Sequence, residues 1–308
     1  MNLKRVQKLL ILVAVLFVSL EADENILVYK IENKNHTISA QTVANGLEKN
    51  GYAVAKNQDM NAPYQKQFGN TLFESYNLMS VYHPDFAKKL VSNHDKSGMF
   101  VPFSIAVYQY KNDANLHLAL LSGVGQEKIL GFKEKLFEQL ETLNKTTLQK
   151  ILPNIQQESL SDATTDTKNK LYTTYTLDVD DEDADENYNQ MMMVMEGNME
   201  MGGFVVANYL NFNQKLQEND INDYIFYHSY SLCKLKIIYE LSKKTPQAGA
   251  FAPCTMVIYH KKGSNKTNIV SLNINSLISM LSLKDVDLLK MLDDTQADMT
   301  TIINDSIE

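Results

Sequence analysis

The sequence states one motif twice. Gly98-Met-Phe100-Val-Pro102-Phe-Ser104-Ile-Ala-Val-Tyr108 returns 151 residues later as Gly249-Ala-Phe251-Ala-Pro253-Cys254-Thr255-Met-Val-Ile-Tyr259. Glycine, phenylalanine, proline and tyrosine keep their spacing, and a small hydroxyl residue, Ser104 or Thr255, keeps its place. A duplication of this kind commits the chain to two like-folded units. Two like units can meet about a pseudo-twofold axis, forming within one chain the arrangement that a homodimer forms with two.

The local patterns give each unit the same order. In the first, Ile26–Ile31 is β-branched and aromatic and reads as a strand. Residues 37–50 read as a helix with Ala40, Val43, Ala44 and Leu47 on one face, closed by Gly51. A strand at Tyr52–Ala55 and an irregular stretch to Asn70 precede a strand at Leu72–Tyr82. Pro84 opens a short helix. Strands at Val101–Tyr110 and Leu116–Leu121 form a hairpin. One long amphipathic helix then carries Ile129, Phe132, Leu136, Leu140 and Leu143.

The second unit reads as a strand at Leu171–Leu177, a helix at 186–201 before Gly202-Gly203, a strand at Tyr224–His228 and a helix at Ser229–Ser242. A hairpin of Thr255–His260 and Asn268–Ile274 and a closing helix complete it. The division is therefore a signal segment at 1–22, a first copy at 23–152, a solvated linker at 153–170 and a second copy at 171–308. The order β-α-β-β-α-β-β-α predicts a two-layer α/β unit of the α+β type, with an antiparallel-rich sheet and helices on one face. Such a sheet leaves its other face to be covered. The expectation is that the copies pack on each other as an intramolecular pseudo-dimer.

A helix ending at Gly51-Tyr52, then Tyr82-His83-Pro84-Asp85-Phe86-Ala87, then Gly98-x-Phe100-x-Pro102 resembles the small α/β family known as domain of unknown function 302. The resemblance covers Ile31 to Leu121 and, more weakly, Gly203 to Ile274. It implies the fold and no activity. In that family the strand proline is commonly followed by cysteine. Pro253-Cys254 matches this pattern and Pro102-Phe103 departs from it, so the resemblance implies a thiol role in the second copy alone.

The N-terminus reads as an export signal. Lys4, Arg5 and Lys8 precede an apolar run from Leu9 to Leu20, and twelve helical residues rise about 18 Å, short of the ~30 Å hydrocarbon core. Cleavage after Ala22 is the primary reading, with retention as an anchor the alternative. No other stretch is long and apolar enough for a stable membrane span. The chain reads as exported and soluble, and periplasmic in a bacterium.

Charge excludes one partner class. Loss of residues 1–22 removes three positive charges and one negative, taking the net charge from −8 to −10. Nucleic acid needs a clustered positive field, which is lacking. Arg5 is the only arginine, so bidentate guanidinium capture of phosphate or carboxylate is closed to the mature chain. Cys233 and Cys254 are the two cysteines. Export leaves a disulfide between them open, although no disulfide scaffold is possible with a cysteine-free first half.

Several constellations invite chemistry. Met191-Met192-Met193-Val-Met195 with Met199-Glu-Met201 suggests copper(I), a soft ion that favours thioether sulfur. Registering Gly203 on Gly51 places Met192, Met195 and Met199 at core positions. It leaves Met191, Met193 and Met201 outward as candidate ligands, though ligands on opposite helix faces do not converge on one ion. The acidic run Asp178 to Glu186 lacks the glycine and glutamate that an EF-hand loop needs and reads as a solvated helix entry. Ser231-Leu-Cys-Lys234 matches S-x-x-K without its K-T-G companion, and Ser231 reads as a residue of a first helical turn.

The function this supports is a non-catalytic binding module for a small ligand or an exported partner protein, with no required cofactor. Its predicted site is the repeated strand: Phe100, Tyr108, Phe251 and Tyr259 for aromatic surface, with Cys254 and Thr255 as a polar edge. A copper-handling protein using the methionine helix or Cys254 is the first alternative. A thiol enzyme built on Cys254 is the second, and it lacks a base or a resolving partner.

Overall fold

A computed structural model describes residues 24–158, 171–218, 221–252 and 254–308. The predicted signal segment, most of the predicted linker and Pro253 lie outside the described residues. The first copy runs β1 (Ile26–Glu32), α1 (Ala40–Lys49), β2 (Ala53–Asp59), α2 (Asn61–Phe68), β3 (Phe73–Tyr82), α3 (Pro84–Asn93), a 3-10 segment (Asp95–Phe100), β4 (Phe103–Tyr110), β5 (Asn115–Leu121), α4 (Gly123–Leu130) and α5 (Lys135–Ile151). A short β6 (Gln156–Glu158) follows. The second copy repeats the order with β7 (Tyr172–Asp178), α6 (Ala184–Met201), β8 (Val205–Asn211), α7 (Phe212–Gln217), β9 (Tyr224–Cys233), α8 (Leu235–Lys244), a 3-10 segment (Pro246–Phe251), β10 (Cys254–Lys261), β11 (Lys266–Leu272), α9 (Ile274–Met280) and α10 (Val286–Ile307).

Both sheets are antiparallel and share one order. The first is β2-β3-β4-β5-β1 with β6 added at its edge, and the second is β8-β9-β10-β11-β7. Local chemistry sets the helix starts. Ser39 and Thr42 form a reciprocal capping box on α1, which satisfies two backbone donors of the first turn. Asp285 caps α10 with a single bond, accepting from Leu288 N at 2.9 Å.

Some elements differ from the sequence reading. The single long helix after β5 is two helices, because Gly131 takes a left-handed φ of 78° between them and so ends α4. Ser229–Cys233 extends β9 instead of opening a helix. The ladder Ser229↔Val257, Ser231↔Thr255 holds those residues extended, and α8 starts at Leu235, the counterpart of Pro84. Residues 56–68 are the end of β2 and α2, and the matching β8 and α7 went unread in the second copy. Within the predicted linker, Gln156–Glu158 pairs with β1.

The copies cover each other reciprocally. The Tyr76 hydroxyl donates to the Pro246 carbonyl at 2.8 Å, and the Tyr227 hydroxyl donates to the Asp95 carbonyl at 2.5 Å. Tyr227 and Pro246 lie 151 positions after Tyr76 and Asp95, so one contact is made twice about the pseudo-twofold. Each 3-10 segment thus lies on the other copy's sheet. The approach is close enough to require glycine. A Cβ on Gly249 would stand 2.6 Å from Ala106 Cβ and 2.7 Å from the Tyr76 hydroxyl, and one on Gly98 would overlap the Tyr227 hydroxyl. Ser229 Oγ donates to Val101 O at 2.8 Å and Thr255 Oγ1 to Pro102 O at 3.3 Å. One apolar cluster accordingly spans both copies, and a second lies under α6 within the second copy.

Candidate functional site

The repeated strand is interior. Phe100, Tyr108, Phe251, Thr255 and Tyr259 are each buried, because the face expected to meet a ligand is the face on which the copies close. Tyr227 stacks on Tyr259 at 5.4 Å and Tyr76 packs against Tyr108 at 5.9 Å. Burial pushes the Tyr108 and Tyr259 hydroxyls above their ordinary value. The aromatic surface predicted from sequence is therefore interface core. Tyr76 and Tyr227, which carry the hydrogen bonds, were missed, although their 151-residue spacing was visible in the sequence.

Three of the predicted residues, Phe251, Cys254 and Thr255, also border a cavity of about 90 Å³ in the second copy. Its walls come from the end of β9 and β10 (Leu232, Cys254, Met256), from α8 and α9 (Ile237, Leu277) and from α10 (Thr295, Met299), with Phe204 at one side. Lys234 stands at this site with its Nζ 4.8 Å from the Phe204 ring centroid and 2.8 Å from Asp298 Oδ2.

The pseudo-twofold explains why the cavity exists. Position for position, the first copy has Phe103 where the second has Cys254, Ile105 for Met256, Tyr52 for Phe204, His83 for Lys234, Asn144 for Thr295 and Leu148 for Met299. There the Tyr52 hydroxyl donates to Asn144 Oδ1 at 2.6 Å, and its ring meets His83 edge-on at 5.2 Å. Burial raises that hydroxyl to about 12. The second copy has lost the Phe103 ring and the tyrosine–asparagine bond, and unflexed neighbours leave space when large side chains shrink.

The two cysteines are free thiols. The ladder sets Leu232, not Cys233, opposite Cys254, so the two thiols are not direct cross-strand partners, although Cys233 also borders the cavity. Burial raises Cys233 to about 12, helped by Cys254, and raises Cys254 to about 11. Ser231, the serine of S-x-x-K, is buried in β9, with its hydroxyl lacking a hydrogen-bond partner among the described residues.

The methionine helix divides its residues differently from the sequence reading. Met193 and Met201 are exposed at 79% and 81%, but Met191 is buried at 3%. Ser39, its counterpart, caps a helix end, whereas α6 begins earlier at Ala184 and carries Ala184, Met191, Met195 and Met199 on its core face. The three predicted copper ligands do not share a face. The acidic run is tied down by one member: Asp181 accepts from Gly263 N at 2.7 Å and lies 3.0 Å from His260 Nε2. Those contacts hold its carboxyl below the usual range.

A second cluster was unread in the sequence. Tyr209 bonds His228 Nδ1 at 2.9 Å, Tyr188 stacks on the same imidazole at 4.5 Å, and the Tyr188 and Tyr230 hydroxyls are hydrogen-bonded to each other. Burial lowers His228 to about 4. Among the described residues, no group of three or more histidine, cysteine, aspartate or glutamate side chains is arranged to hold a metal ion. No described helix is long and apolar enough to cross a membrane.

The family model described as Domain of unknown function DUF302 matches residues 28–143 and again residues 182–306. A solved structure, an uncharacterized conserved DUF302 protein from Bacillus stearothermophilus, is 18% identical, with a TM-score of 0.37. The match covers 46% of this chain and 100% of that one. No curated protein is detectably similar.

Proposed function

The chain belongs to the DUF302 family and carries its domain twice, and from that premise we propose that it is an exported, non-catalytic binding module whose second copy holds a small guest. The observation that carries this reading is the cavity beside Cys254, bordered mainly by sulfur and hydrocarbon with Lys234, Ser271, Thr295 and Gln296 among its polar residues, at a place where the first copy has the larger Phe103 ring. At about 90 Å³ it exceeds the room one water needs and falls short of the roughly 150 Å³ apolar cavity that takes up benzene. The guest is therefore of atomic to few-atom size. The thiols support binding over nucleophilic chemistry, since burial keeps both protonated near neutrality and the thiolate is the nucleophile. Export rests on the basic and apolar run of residues 4–20.

Native mass spectrometry of the full chain tests the reading. The expected result is a stoichiometric non-covalent adduct that survives purification and is absent from Cys254→Phe, which restores the first copy's side chain. A bare chain whose cavity also takes up no xenon would overturn it.

An exported partner protein is supported by a separate observation. Met193, Val194, Met201, Val205, Val206 and Tyr209 are all exposed, and they lie on α6 and the edge strand β8. The counterpart edge β2 carries Lys56 and Asp59, charges that discourage strand addition, whereas β8 has none. An extended segment pairing with β8 is the partner this edge fits. Val206→Lys is expected to abolish co-purification of such a partner without changing stability, and retention of the partner would exclude this edge.

A further inference from the structure

We infer that the cavity of the second copy is a site for a soft monovalent cation, copper(I) or silver(I) in class, held by the Cys254 thiolate and the Met256 and Met299 thioethers. The inference rests on the binding reading above and names its guest.

Three observations carry it. Cys254, Met256 and Met299 all border the same cavity, as does Cys233 at the end of β9. Cys254 and Met256 are two apart on β10, so they project to one face of the sheet, and Met299 enters from α10. At the three matching positions the first copy has Phe103, Ile105 and Leu148, all hydrocarbon. Sulfur therefore replaces hydrocarbon at these three bordering positions.

The donor set selects the ion. No aspartate, glutamate or histidine borders the cavity, so its oxygens are the neutral ones of Thr255, Ser271, Thr295 and Gln296, a set without the carboxylates that hard cations are usually bound by, while thiolate and thioether donors suit copper(I). Charge selects the oxidation state. Binding breaks the Cys254 S–H bond, releases that proton to solvent and forms one sulfur–metal bond. A monovalent ion on one thiolate is neutral, whereas a divalent ion would leave net positive charge in a mainly apolar cavity that Lys234, paired with Asp298, also borders, which is costly. Because one thiol proton is released for each ion bound, apparent affinity is expected to rise about tenfold for each unit increase in pH while the thiol is protonated.

Silver(I), which undergoes no redox change under these conditions, is the probe, titrated into the full chain by calorimetry with xenon uptake measured on the same samples. The expected result is one silver ion per chain, bound tenfold tighter at pH 7 than at pH 6. Affinity should fall at least a hundredfold in Cys254→Ser and at least tenfold in the near-isosteric Met256→Leu/Met299→Leu pair. Met193→Leu/Met201→Leu, on the exposed face of α6, should bind as the parent does. Silver affinity unmoved by the Met256/Met299 pair would reduce the site to a bare thiol and overturn the inference. Xenon uptake without tight silver binding would overturn it and leave the binding reading standing, whereas absence of both would remove the two together.

Discussion

Cys254 occupies in the second copy the place that Phe103 fills in the first, and the space between those two side-chain sizes is the cavity. The replacement gives one half of a duplicated fold an opening while the other half stays packed. It also predicts a stability effect. Cys254→Phe should stabilise the protein by about 0.5–2 kcal/mol, the range for cavity filling, read from urea denaturation. A loss of stability would mean that the surrounding helices do not leave the room described.

Gly98 meets the Tyr227 hydroxyl with no room for a Cβ. Gly98→Ala should cost about 1–3 kcal/mol, as overpacking does, and adding Tyr227→Phe should recover part of that loss. An unchanged denaturation midpoint in the single variant would contradict the reciprocal packing.

Tyr76 and Tyr227 each donate across the boundary between copies. Tyr76→Phe and Tyr227→Phe should each cost about 1–2 kcal/mol, because each removes the tyrosine donor from a carbonyl that is buried at Pro246 and half-buried at Asp95. Since the copies share one apolar cluster, the chain should still unfold in a single transition seen alike by fluorescence and circular dichroism. Two separated transitions would show independent domains.

His228 is held neutral by burial, its pKa lowered from 6.5 to about 4. The unfolded chain therefore binds more protons than the folded chain between those values, and stability falls as pH drops from 6.5 towards 4 before levelling. The contribution is at most about 3 kcal/mol. Urea midpoints taken from pH 7 to pH 4 should fall less steeply in His228→Asn than in the parent. Parallel profiles would place the imidazole in contact with solvent.

The sequence made the duplication legible because Gly98, Phe100, Pro102 and Tyr108 recur at fixed spacing, and from it followed the element order and the paired sheets. The site was less legible for a physical reason. Phe100 and Tyr108 are aromatic and strand-borne whether they face a ligand or a second copy, and one-dimensional pattern does not tell the two apart. The cavity depended on a comparison between copies, Phe103 against Cys254 and Leu148 against Met299, that becomes meaningful once the helices are placed over the sheet. Met191 misled through its register with Ser39, because α6 is longer than α1 and a capping position in one helix is interior in the other. Ser229–Cys233 misled because local pattern outweighed the β3 counterpart, Leu78–Tyr82, which reads as strand.

A crystal structure of the full chain under xenon pressure tests the central claim, that the second copy alone keeps a site open. A xenon atom is expected among Cys254, Met256 and Met299, and none among Phe103, Ile105 and Leu148. Equal occupancy of both places, or xenon at neither, would contradict it.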